Sequence, residues 1–196
     1  GYRLSDDKKQ LVFTTNEAGL NKVYLMNTAD KTYAAIQNLP VGLIGGAAFT
    51  KDGKSIFFTQ STAKTSSDVY RYDIAAQTIA PWTKSELGQI QESDISLPKP
   101  IEWKSFDRLK ITGFYYPAAP KFTGKRPVII NIHGGPEAQF RPTFLGRNNY
   151  YLNELGVALR ASVTPSVAAL NDSDAFSKVP SMFGDQSVGC EWFVGP

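Results

Sequence analysis

The sequence predicts a mostly β chain in two parts: repeated antiparallel units of the kind that stack as β-propeller blades, then the N-terminal part of an α/β domain. Three observations carry this. The chain matches itself at an offset of 45 residues, its composition shifts across a Pro-bounded stretch from 81 to 100, and an apolar run, Pro127 to Ile132, ends on a pair of glycines.

Composition sets the limits. A chain of 196 residues with 42% hydrophobic content can bury a core, so wholesale disorder is excluded. The 21 basic and 18 acidic side chains leave a net charge of +3, scattered with no basic run longer than Lys8-Lys9, which argues against nucleic acid as a partner. One cysteine, Cys190, and one histidine, His133, cannot supply a disulfide or a Cys/His zinc site, so neither a metal nor a cofactor is expected. No segment approaches the roughly 20 apolar residues that span a bilayer, and the first residues do not read as a signal peptide, so a soluble chain with no membrane association is expected. Without an initiator Met, Gly1 reads as a processing product or the edge of a longer protein. The compartment stays open between cytoplasm and periplasm.

Residues 1–80 carry the repeat. Leu4 to Lys9 aligns with Phe49 to Lys54, and Leu11-Val12-Phe13-Thr14 with Ile56-Phe57-Phe58-Thr59. One residue further out of step, Val23-Tyr24-Leu25 aligns with Val69-Tyr70-Arg71, and Asn27-Thr28 with Asp73-Ile74. Each copy alternates apolar and polar residues and is rich in β-branched and aromatic types, which favours strand over helix. Asp52-Gly53 marks a tight turn, since glycine accepts the positive φ such turns impose. Units of about 40 to 50 residues made of four short antiparallel strands have the period of a propeller blade. A plain antiparallel meander satisfies the same pattern. The aromatics Tyr24, Tyr70, Tyr72 and Trp82 fit either a core or a binding surface, and alternation along strands favours the core.

From 81 to 100 the prolines Pro81, Pro98 and Pro100 bias the backbone to extended forms, and the stretch reads as a linker. Ile101 to Phe106 and Leu109 to Tyr116 read as two strands around a turn at Asp107-Arg108. Pro127-Val128-Ile129-Ile130-Asn131-Ile132 is a nearly continuous apolar run, predicted to be a strand buried on both faces. It leads into His133-Gly134-Gly135-Pro136, where a glycine pair lets backbone N–H groups point outward, as in part of the oxyanion hole of α/β-hydrolases. An ordinary strand-ending turn is the other reading of those four residues. Asn148 to Leu159 reads as a short helix followed by a strand.

The stretch from Trp103 to Pro136, centred on Arg126 to Glu137, together with Phe140-Arg141-Pro142, Asn148 to Leu152 and Leu155 to Leu159, resembles the prolyl oligopeptidase family of serine peptidases, nearest its acylaminoacyl-peptidase and dipeptidyl-aminopeptidase-like branches. With the repeats, the resemblance covers about residues 1 to 159. It implies C-terminal propeller blades over 1–80, a crossing segment over 81–100 and the start of an α/β-hydrolase catalytic domain over 101–159. It also implies hydrolysis of short peptides or acyl-peptides by an intact member, and an oxyanion-loop, substrate-binding role for His133, Gly134, Gly135 and Pro136.

Residues 160–196 depart from that pattern. They carry two basic and four acidic side chains, a net of −2, and lack the Gly-x-Ser-x-Gly elbow that exposes a nucleophilic serine. Gly184-Asp185-Gln186-Ser187-Val188-Gly189 comes nearest, with one residue too many before Ser187. A Ser/His/Asp triad needs a histidine as proton acceptor, and the single His133 stands upstream of any candidate serine. The chain is therefore expected to be a truncated family member with no catalytic triad and an atypical tail. A non-catalytic propeller-type module that binds peptides or proteins is the alternative from a different class. A lipase or esterase piece shares the His-Gly-Gly loop but does not account for the repeat.

Overall fold

The computed structural model describes residues 1–104, 108–131 and 139–162. They divide into two compact units, one of Gly1–Gln89 with Arg141–Phe144, the other of the described residues from Ile90 to Phe140 and from Leu145 onward.

The first unit contains two four-stranded antiparallel sheets in succession. Strands β1 (Tyr2–Leu4), β2 (Gln10–Glu17), β3 (Leu20–Asn27) and β4 (Tyr33–Ala35) form a meander in chain order, and β5 (Gly42–Phe49), β6 (Ser55–Thr62), β7 (Asp68–Asp73) and β8 (Thr78–Pro81) form a second. The sequence repeat is a structural repeat: β1 to β4 occupy the positions of β5 to β8.

The correspondence extends to individual atoms in the first turn of each sheet. The Ser5 hydroxyl donates to Asp7 Oδ1 at 2.7 Å and accepts from the Gln10 amide at 3.0 Å, while the Thr50 hydroxyl donates to Asp52 Oδ1 at 2.6 Å and accepts from the Ser55 amide at 3.1 Å. Each aspartate accepts a further backbone bond at 3.1 Å, from Lys9 and Lys54 respectively. The residue with positive φ is Lys8 (61°) in one turn and Gly53 (67°) in the other. A hydroxyl and a carboxylate two residues on thus satisfy the turn's amides before the next strand begins.

The two sheets share one core. Val12 and Val23 from the first join Ile44, Ile56, Phe58 and Tyr72 from the second, and Val12, Val23 and Ile56 are fully buried. Of the aromatics weighed from sequence, Tyr72 is core, Tyr24 and Tyr70 are half-buried, and Trp82 is exposed, standing edge-on to Phe57 at 5.2 Å.

In the second unit, strands β9 (Lys99–Lys104), β10 (Lys110–Tyr116), β11 (Val128–Asn131) and β12 (Ala158–Ser162) form one sheet in the order β11-β12-β10-β9. Its one parallel pair is β11 with β12; the other pairings are antiparallel. The short helix α1 (Asn149–Asn153) precedes β12 and buries Leu152 completely. Arg108 has φ 67° at the predicted turn, whose Asp107 lies outside the described residues.

Two expectations need correction. The apolar run at 127–132 was expected to be buried on both faces, yet all four residues of β11 are only half-buried. Both faces of a parallel strand are covered by helices packed above and below the sheet, not by its hydrogen-bonded neighbours; among the described residues the only α-helix is the five-residue α1, and β11 pairs with β12 alone. The second concerns Leu159, where the strand was read to end: it runs on through Arg160 and Ala161, paired on both sides, to Ser162, which pairs with Gly113 of β10.

That continuation has a packing reason. Gly113 lies between Ser162 and Ile101 in register, and a Cβ there would sit 2.5 Å from the Ala161 carbonyl oxygen and 3.0 Å from the Trp103 ring. The missing side chain lets the Trp103 indole spread across β10 to the Arg160 guanidinium, 3.9 Å from the ring centroid. Arg160 is buried, and burial pushes its guanidinium below the ordinary arginine value, a cost the aromatic face offsets in part.

Candidate functional site

His133, Gly134, Gly135 and Pro136 lie outside the described residues, as does Ser187. What is described is the framework on either side. On the N-terminal side, Arg126 Nε donates to the Gly156 carbonyl at 2.8 Å, tying the segment before β11 to the turn before β12. The Pro127 carbonyl then accepts from the Ala158 amide at 2.9 Å, which starts the parallel register carrying Asn131 opposite Ala161. On the C-terminal side, the Phe140 ring stands edge-on to Tyr116 at 6.4 Å and tilted against Phe114 at 6.5 Å. Tyr116 is fully buried, its hydroxyl has no hydrogen-bond partner, and burial pushes its phenol far up.

Immediately after Phe140 the chain enters the first unit. Arg141 Nε donates to the Gly19 carbonyl and Nη2 to Asn21 Oδ1, both at 2.9 Å, across some 120 residues of sequence. Asn21 Oδ1 also accepts from the Ile44 amide at 3.0 Å, so one side chain holds β5 and Arg141 together. Pro142 is buried, and the Phe144 amide donates to the Ser61 hydroxyl at 3.3 Å. Sequence reading placed Arg141 within the family resemblance but assigned it no role. Its partners carry no periodicity or spacing that could have pointed to it.

No histidine is present among the described residues, and they contain no group of three or more metal-ligating side chains. No helix among them is long and apolar enough to cross a membrane. A cleft of about 260 Å³ opens in the first unit between Leu20, Asn21, Lys22, Ile36, Pro40 and Gly42. Its one ionisable group, Lys22, is held 2.5 Å from Glu17 and is shifted upward by that carboxylate, so it stays a cation and offers no nucleophile. The same lysine, with Tyr24 and Thr15, holds Glu17 down to about 2.

The three sheets in this order define a known class of fold: the chain matches solved structures of prolyl oligopeptidases and of puromycin-hydrolysing peptidases. The apo structure of prolyl oligopeptidase B from Galerina marginata matches at a TM-score of 0.76 and 15% identity, over 95% of this chain and 29% of that one. The same enzyme bound to a 35mer hydrolysis and macrocyclization substrate matches at 0.73 and 16% identity, again over 95% and 29%. A puromycin-hydrolysing peptidase of Mycobacterium tuberculosis matches at 0.63 and 14% identity, over 82% of this chain and 25% of that one. The chain therefore spans between a quarter and a third of the length of these relatives. No family model matches it, and no curated protein matches it in sequence.

Proposed function

We propose that the two meanders are blades of a β-propeller and that the sheet of β9 to β12 is the opening of an α/β-hydrolase domain, from a serine-type peptidase that acts on short peptides or acyl-peptides. The observation that carries this reading is the fold match over 95% of the chain, supported by a parallel strand pair that leads straight into His133-Gly134-Gly135-Pro136.

In this reading the backbone N–H groups of that segment stabilise the negative charge that develops on a scissile carbonyl oxygen. Such donors act in the transition state, and losing one costs about 3 to 4 kcal/mol in an intact enzyme. The 196-residue chain itself does not complete the chemistry. Its one histidine belongs to the segment just described, so no imidazole remains to take a proton from a serine, and no Gly-x-Ser-x-Gly turn presents one.

A fluorophosphonate probe on the purified chain, read by intact mass, tests this directly. No adduct and no turnover of short peptide substrates are expected. A stoichiometric adduct that disappears in Ser187→Ala would overturn the reading and place a working nucleophile in the tail.

A further inference from the structure

The segment Arg141–Phe144 belongs to the first unit, while the residues on either side of it, up to Phe140 and from Leu145, belong to the second. It is not a strand and pairs with none of the strands it lies among. Three groups hold it instead: the Arg141 fork on the Gly19 carbonyl and Asn21 Oδ1, the Pro142 ring, less than 2% exposed, and the Phe144 amide on the Ser61 hydroxyl. Gly19 and Asn21 stand at the β2–β3 turn and Ser61 in β6, so the contacts draw on both sheets.

The receiving groups are set without the segment. Asn21 Nδ2 donates to the Thr15 carbonyl at 3.1 Å while its Oδ1 accepts from the Ile44 amide, which fixes the amide plane and which end faces Arg141. The Gly19 amide donates to Asn16 Oδ1 at 3.2 Å, holding a turn in which Ala18 and Gly19 both have positive φ, 50° and 86°. The Ser61 hydroxyl donates to the Thr65 carbonyl at 3.4 Å, so its oxygen is turned to accept. The segment is shaped in advance as well: the Thr143 amide donates to the Arg141 carbonyl at 2.9 Å, closing a tight turn centred on Pro142, whose ring fixes φ. Two preorganised partners meet through a charged fork, a buried ring and one amide. Peptide ligands bind their sites in this way, whereas a strand joins a sheet through a ladder of backbone bonds.

We propose that the first unit carries a recognition seat for an Arg-Pro peptide, formed by Gly19, Asn21 and Ser61, and that Arg141–Phe144 is its built-in ligand. Selectivity lies in the first two residues. A planar guanidinium reaches two acceptors at once, which the point charge of a lysine does not, and proline fills a closed site at little cost in chain entropy. The Phe144 contact is made by backbone and asks little of the side chain. Because the ligand is tethered, its effective concentration is of millimolar order, and a free competitor enters only when the tethered copy is displaced. The seat lies inside one unit and depends on no catalytic role of the chain.

Emptying the seat in the full chain tests this. Arg141→Glu sets a carboxylate against two acceptor oxygens and should expel the segment, with circular dichroism showing the strands retained. A fluorescein-labelled peptide of Gln139 to Leu145 should then bind the variant saturably by anisotropy and raise its melting temperature. At the same concentrations it should do neither with the unaltered chain, whose seat is filled. The same peptide carrying Arg141→Glu should bind roughly tenfold or more weakly, the equivalent of one lost charge-assisted bond, and Asn21→Ala on the seat's side should weaken the unaltered peptide similarly. Arg141→Met empties the seat without adding a charge; it should give the same result and serves where Arg141→Glu does not fold. A peptide that binds neither variant overturns the proposal. So does equal binding to the variants and the unaltered chain, or binding indifferent to the arginine.

Discussion

Removing the Arg141 guanidinium should cost far more than its position in an irregular segment suggests. Arg141→Met keeps the aliphatic stem and deletes two donors, one to the Gly19 carbonyl and one to Asn21 Oδ1, each at 2.9 Å. Hydrogen bonds from a charged donor contribute about 1.5 to 3 kcal/mol each. Gly19 is buried, so water cannot fully replace the lost donor there, whereas Asn21 Oδ1 keeps its bond from the Ile44 amide. Discounting for the half-buried guanidinium gives a loss of about 2 to 4 kcal/mol. Urea unfolding followed by tryptophan fluorescence measures it, as a lower midpoint at unchanged slope. Arg141→Lys, with one point-like ammonium in place of the fork, should recover less than half of the loss. In a double-mutant cycle with Asn21→Ala the two changes should be non-additive, because the pair shares a bond. A loss below about 0.5 kcal/mol, within the range of ordinary surface substitutions, together with additivity in the cycle, would refute the anchoring argument.

Because the Ser5 and Thr50 turns carry the same bonds, Ser5→Ala and Thr50→Val should destabilise the chain by similar amounts, about 1 to 2 kcal/mol each; chemical denaturation giving one a large effect and the other none would break the equivalence. Gly113→Ala should remove Trp103 from Arg160, since the added Cβ meets the Ala161 carbonyl oxygen at 2.5 Å and the ring at 3.0 Å; the readouts are a red-shifted tryptophan emission and a melting temperature lower by several degrees. Glu17 should titrate near 2 by NMR and return toward its ordinary 4.5 in Lys22→Met, whose loss removes the first of its causes. Asp7 and Asp52 are held below the ordinary value chiefly by the Ser5 and Thr50 hydroxyls. All three carboxyls have folded values below the unfolded ones, so their contribution is complete above about pH 4.5 and fades as the pH falls through the folded values; acid titration of stability should show loss in that window and none from these groups near neutrality.

The arrangement of the first unit was legible in the amino-acid order because its determinants are local. Strand alternation repeats every two residues, and the alignment of Leu4–Lys9 with Phe49–Lys54 put the turn marked by Asp52-Gly53 at the same place in both copies; that the Ser5 and Thr50 hydroxyls hold those turns was shown only by the structure. The helix at Asn149–Asn153 and the strand after it followed from apolar spacing in the same way. At the candidate site only the motif is legible: His133-Gly134-Gly135-Pro136 is a local pattern, and these residues lie outside those described.

What local pattern could not supply is which surfaces meet. A mostly apolar run such as Val128–Asn131 has the same composition whether or not helices cover both faces of its sheet, and its half-burial is set by what packs on those faces. Arg141 finds Gly19 and Asn21, and Trp103 reaches Arg160 over Gly113, through pairings remote in sequence that leave no trace in periodicity. The repeat by itself determined that two like sheets form. Which face of each is covered depended on the direction in which they stack, a property of the tertiary structure, because front and back are both apolar and only packing distinguishes them.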